Sequence, residues 1–151
     1  MYLDPKKFSR TPAQRADQSL AWERDDRHFF ASGACHILAF TFKNLHPDRS
    51  LELVFIRPLE KFVLAGCHMF VRDGEWAFDH AGWTKESELL GVYAEGFREA
   101  FPGWGYSLEV ITDNLEEFCR KNDHRGPAYF YNLPWERTYR YIKQLEEKPP
   151  A

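Results

Sequence analysis

The sequence predicts an α+β domain built on an antiparallel sheet, and three observations lead there. Helical apolar spacing comes first, β-branched and aromatic runs follow one another in the middle, and helical spacing returns towards the end. The dipeptide Asp73-Gly74 sits between two such runs, which marks a tight hairpin. Aromatic residues make up 17% of the 151 residues, enough for large rings to fill one core without disulfides.

The elements follow in order. Residues 1–11 carry no periodic pattern and are expected to be loose, as are 147–151; a single domain is expected over 12–146. From Pro12 to about Arg24 a short polar helix is expected, anchored by Leu20, Ala21 and Trp22. Ser32 is a good N-cap for a second helix that stops near His46, because Pro47 disfavours helix before it. Cys35, Leu38, Phe42 and Leu45 share one face of that helix. Strands are expected over 51–59 and 62–74, and in "EWAFDHAGW" (75–83). A helix over 85–103 ends at Pro102-Gly103, and residues 106–112 read as a further strand. A short helix over 113–122 is capped by Thr112 or Asp113. The last helix, 132–148, has Asn132 as cap and Pro134 in its first turn. Tyr131, Trp135 and Tyr139 recur every four residues and are expected to pack on the domain.

A two-residue loop at Asp73-Gly74 pairs Arg72 with Glu75 and sets His68 directly opposite Asp79. Opposed side chains on one face have Cβ atoms roughly 4.5–5.5 Å apart, within hydrogen-bonding reach for imidazole and carboxylate. Alternation sends Cys67, Trp76 and Phe78 to the other face. With Ser32 as cap, Cys35 is the third residue of its helix, where unpaired N–H groups and the positive dipole end favour a thiolate. A cysteine at a helix start, a histidine to take its proton and an acid to orient that histidine form a nucleophilic triad. It is complete if the helix packs its Cys35 stripe on the sheet face that carries His68, Phe70 and Ala77. Ser32 and Gly33 beside the cysteine, and Trp83 just past the hairpin as a cleft wall, are the candidate substrate contacts.

The order Gly33-Ala34-Cys35, His68-Met69-Phe70-Val71, Asp73-Gly74-Glu75-Trp76 and Asp79 resembles the transglutaminase-like and papain-like cysteine superfamily. The resemblance spans residues 32–83. It implies a helix packed on a small antiparallel sheet, with Cys35 as nucleophile, His68 as general base and Asp79 as orienting acid. It implies a protease, deamidase or acyl transferase working through a thioester on a protein, a peptide or a small amide. Two departures stand out: Phe70 replaces the usual Trp and His80 the usual Pro of transglutaminase-type members. The Gln that papain-type members place shortly before the cysteine is absent from "RDDRHFF". That leaves the Cys35 backbone N–H as the expected oxyanion donor. From a different class, a non-catalytic module that keeps the fold, such as an immunity or phage-associated protein, fits the same residues.

Other chemistries find less support. Cys35-His36, Cys67-His68 and Cys119 with His124 offer ligand atoms, but adjacent side chains diverge and no C-x2-C or H-x3-H spacing is present. No metal or cofactor is expected. The net charge of −3 gives no pull towards nucleic acid, although "HRGPAYFYNLPWERTYRYIKQ" mixes aromatics with cations. No apolar run reaches membrane-spanning length. Three widely spaced cysteines, without an apolar leader, point to reduced thiols in the cytoplasm.

Overall fold

A computed structural model describes residues 1–62 and 65–145. Four helices precede the sheet: α1 (Pro12–Ala16), α2 (Gln18–Trp22), α3 (Asp26–Ala31) and α4 (Cys35–Leu45). Next come β1 (Glu52–Pro58), β2 (His68–Asp73), β3 (Trp76–Asp79) and β4 (Gly82–Lys85), then α5 (Glu86–Ala100), β5 (Tyr106–Ile111), α6 (Leu115–Asn122) and α7 (Trp135–Gln144). The five strands form one antiparallel sheet in the order β4-β3-β2-β1-β5. The expected α+β class is therefore observed. None of the helices among the described residues is long and apolar enough to cross a membrane.

The sheet separates two cores. On one face α4 packs Ile37, Leu38 and Phe42 against Leu53, Phe55, Met69, Val71 and Phe78. The Phe42 and Phe78 rings stack at 3.9 Å. On the other face α5 packs Leu89 and Tyr93 against Val54, Ile56, Phe70 and Ala77, and Tyr2 and Trp104 complete that core. Phe78 thus faces away from the His68 row, as alternation requires.

Several expected boundaries move, each for a local reason. The helix expected over 12–24 breaks at Asp17, whose carboxylate accepts from the N–H and hydroxyl of Ser19 and so caps a new helix. Asp25 caps α3, which was not expected, by accepting from the N–H of His28. Ser32 is no N-cap: it closes α3, and its carbonyl accepts from Arg24 at 2.9 Å. Gly33 then turns the chain with φ +110°, a conformation other residues rarely adopt, and α4 starts at Cys35 after Ala34. Cys35 is therefore the first helical residue rather than the third.

Within the expected 62–74 strand only His68–Asp73 pairs; Glu60–Phe62 form a 3-10 turn, and residues 63 and 64 lie outside the described residues. Asn114, not Thr112 or Asp113, caps α6. Pro134 opens α7 in place of Asn132. Of the expected aromatic stripe only Trp135 packs on the core: Tyr131 and Tyr139 are 61% and 44% exposed, and α7 buries Arg137, Thr138, Tyr141 and Ile142 instead. Residues 1–11 are docked rather than loose, with Tyr2 and Phe8 each 4% exposed. The tail 147–151 lies outside the described residues.

Candidate active site

The β2–β3 hairpin sets the first pair. Asp73 pairs with Trp76 and Val71 with Phe78, so the two-residue loop is Gly74-Glu75, one step later than the sequence suggested. Gly74 takes φ +61° at the first loop position, as a type II′ turn demands. The correction moves the register by two residues, not one. A slip of two keeps every side chain on its face. His68 and Asp79 thus become diagonal neighbours rather than opposed ones, and they still meet: His68 Nε2 lies 2.9 Å from Asp79 Oδ2, with both side chains fully enclosed.

Asp79 is held by more than the histidine. Tyr2 donates its hydroxyl to Oδ2 at 2.6 Å, and the Ala81 N–H donates to Oδ1 at 2.9 Å. Burial alone would push the carboxyl up. The His80 and His68 rings and the Tyr2 hydroxyl outweigh it and bring Asp79 down to about 2. Burial and the charge of His68 in turn lower His80 to about 4 against the pull of Asp79, so its ring is neutral above that pH. The standing cation opposite Asp79 is therefore His68. Burial opposes that charge, but Asp79 and Cys35 raise His68 to about 9.

The entry to β2 is clamped. Trp104 donates its indole N–H to the Ala65 carbonyl at 2.8 Å, and a Cβ on Gly66 would sit 2.8 Å from the Trp104 ring. Tyr93 stacks on the His68 ring, with centroids 5.1 Å apart and planes at 24°. With Nε2 on Asp79, the buried Nδ1 of His68 is the nitrogen left over, and it closes no hydrogen bond among the described residues.

Cys35 meets this ring from an unexpected direction. Its helix packs on the face opposite Phe70 and Ala77, so the docking assumed from sequence is wrong. Cys35 and His68 are the first residues of their elements, however, and each bears on the charge of the other. Burial raises the Cys35 thiol, but the neighbouring His36 and His68 rings hold it well below its ordinary value. His36, weighed from the sequence only as a metal ligand, is a second imidazole beside the thiol. Its Nε2 lies 2.7 Å from the Arg125 carbonyl, its buried Nδ1 closes no hydrogen bond, and Cys119 and Cys35 raise it to about 9 despite burial. Cys67 behaves oppositely: burial and the Cys35 charge push its thiol up to about 11.

The other candidates divide. Gly33 and Ser32 flank the cysteine, but Ser32 spends its carbonyl on Arg24. Trp83 packs on Phe42 and Phe78 and lines a hollow of about 230 Å³ with Tyr2, Trp76 and Lys85; the lining includes neither Cys35 nor His68. It does not wall the Cys35 site. Ligand atoms of His68, Asp79 and His80 lie within 4.8 Å of one another, a spacing a cation can bridge. Asp79 Oδ2 already takes His68 and Tyr2, so a metal there would have to displace both. Sequence reasoning missed Tyr2, His36 and His80, which enter through tertiary packing. Only the Cys35-His36 and Asp79-His80 adjacencies hinted at the last two. Comparison with known proteins finds no matching family model, curated protein or solved structure.

Proposed function

We propose that the protein is a thiol-dependent hydrolase or acyl transferase of the papain-like and transglutaminase-like kind, acting on amide or thioester substrates. The single observation that supports this most is the buried His68–Asp79 pair, whose free Nδ1 is left for a cysteine at a helix start. Cys35 Sγ attacks the carbonyl carbon, forming an S–C bond as the C=O electrons move to oxygen. The tetrahedral adduct collapses, and the leaving amine or thiolate takes the proton carried by His68. Water or an acceptor amine then attacks the thioester and gives its proton to His68; the acyl C–S bond breaks, the acyl group leaves as an acid or amide, and Cys35 returns as a thiolate. Asp79 orients His68 and stabilises its charge without taking the proton. The Cys35 backbone N–H, in the first turn of α4 where N–H groups have no helical partner, donates to the oxyanion.

The test is alkylation. Iodoacetamide near pH 6 should modify Cys35 well before Cys67 or Cys119, read by peptide mass spectrometry. His68→Ala should remove the preference and Asp79→Asn should weaken it. Equal labelling of the three cysteines would show that Cys35 is a core residue and sink the proposal.

A further inference from the structure

Arg10 stands over Gly33, two residues before the cysteine, with no bonded partner among the described residues. Three atoms of its guanidinium, Cζ, Nη1 and Nε, lie 3.6, 3.6 and 3.7 Å from the point where a Gly33 Cβ would be. Near-equal distances mean that the flat group lies face-on over Gly33, two residues before Cys35. Its Nε is buried without a partner, and the guanidinium closes no hydrogen bond or ion pair among the described residues.

The charges around it are as unusual. Those that bear on Arg10 most are Arg125 and Arg15, which repel it, and Cys35 and Cys67, which attract it; no carboxylate is among them. Burial and Arg125 lower its pKa, as expected of a cation short of a counter-charge.

This placement is built. On one side of Arg10, Phe8 is buried and its carbonyl accepts from Arg24 Nη2. Arg24 Nη1 reaches the Ser32 carbonyl, so one guanidinium staples the segment before Arg10 to the segment before Gly33. On the other side Thr11 and Gln14 close a reciprocal capping box at the start of α1. Backbone on both flanks is fixed, and the five N–H donors of an arginine form a fork that matches a carboxylate. A cation held this way without a protein partner is arranged for an anion from outside.

We propose that Arg10 is the anion-recognition residue of the Cys35 site and that the enzyme acts on acyl substrates carrying a carboxylate close to the bond attacked. Arg125 adds to the positive field. The inference rests on Cys35 being the nucleophile, and the test separates the two.

Iodoacetate and iodoacetamide are nearly the same size and differ by one negative charge. Each forms an S–C bond to the cysteine as the C–I bond breaks and iodide leaves. The ratio of their rates at Cys35, divided by the same ratio for free cysteine, measures anion recognition independently of thiol reactivity. It should exceed unity in the unmodified protein. Arg10→Gln should lower it about tenfold, equivalent to ~1.4 kcal/mol, and Arg10→Lys should keep most of it. Arg10→Met, which retains bulk over Gly33, should behave as Arg10→Gln does.

An unchanged ratio in Arg10→Gln overturns the proposal. So does an equal slowing of both reagents, which would make Arg10 a cation that acts on the thiolate or on the fold rather than on the reagent's charge. If neither neutral variant folds, Arg10 is a structural cation and the proposal fails likewise. Failure of Cys35 to react selectively with iodoacetamide sinks the nucleophile itself. Selective reaction without an Arg10-dependent ratio sinks only the anion site.

Discussion

Replacing Tyr2 by Phe removes one oxygen and isolates one contact. The ring remains, with its neighbours His80 at 5.8 Å and Tyr93 at 6.2 Å, so packing is conserved. What is lost is the 2.6 Å hydrogen bond to Asp79 Oδ2, between residues that are 4% and 3% exposed. A hydrogen bond to a charged group contributes about 1.5–3 kcal/mol. For a chain of this size each kcal/mol shifts the melting temperature by about 2–4 °C, so Tyr2→Phe should melt roughly 3–12 °C lower at pH 7. The pH dependence gives a second reading. Asp79 is depressed to about 2, so stability from its partners is present above the unfolded value near ~3.9 and is lost as pH falls through about 2. The gap between the two proteins, followed by circular dichroism, should therefore narrow between about pH 4 and pH 2. Equal melting temperatures would refute the account, and a gap that ignores pH would show that Tyr2 acts by packing alone.

Three further outcomes follow from the same geometry. His80, lowered to about 4, contributes stability above its unfolded value near ~6.5 that is lost as pH falls to about 4. That loss is at most ~3 kcal/mol at ~1.36 kcal/mol per unit, and His80→Gln should flatten urea-unfolding stability over this window. Phe78→Ala removes a fully buried ring stacked on Phe42 and should cost about 3–5 kcal/mol by urea unfolding. Gly66→Ala combines a positive φ of 90° with a 2.8 Å approach to Trp104, so it should lower the melting temperature and slow Cys35 labelling together by shifting the start of β2.

The sequence carried the fold class and half the site because those depend on local rules. Alternation tied His68 and Asp79 to one face, and that survived a misread turn only because the register moved by an even number. Had Gly74 begun a bulge, the pair would have parted. Which face α4 covers was not legible, since Cys35, Met69 and Phe78 can meet on either side until long-range packing decides. Nor was Tyr2: it belongs to a stretch with no periodicity, and a lone aromatic near the start of a chain gives no local sign of a buried partner. Arg10 was silent for the same reason, because a cation without a partner is defined by what is missing around it. Ser32 misled because it meets the cap preference yet lies at the end of one short helix instead of the start of the next.

The bond from Tyr2 to Asp79 spans 77 residues, that from Tyr141 to the His80 carbonyl 61, and that from Arg137 to Asp26 111. The β2–β3 hairpin, by contrast, closes through two residues. Loops of such different length close on different schedules, because entropy must be spent before a distant contact repays it. The hairpin can bring His68 and Asp79 together early, while the phenol that steadies the carboxylate arrives only when the ends of the chain have collapsed onto the sheet. On this schedule the Tyr2–Asp79 bond closes after the hairpin that carries the carboxylate.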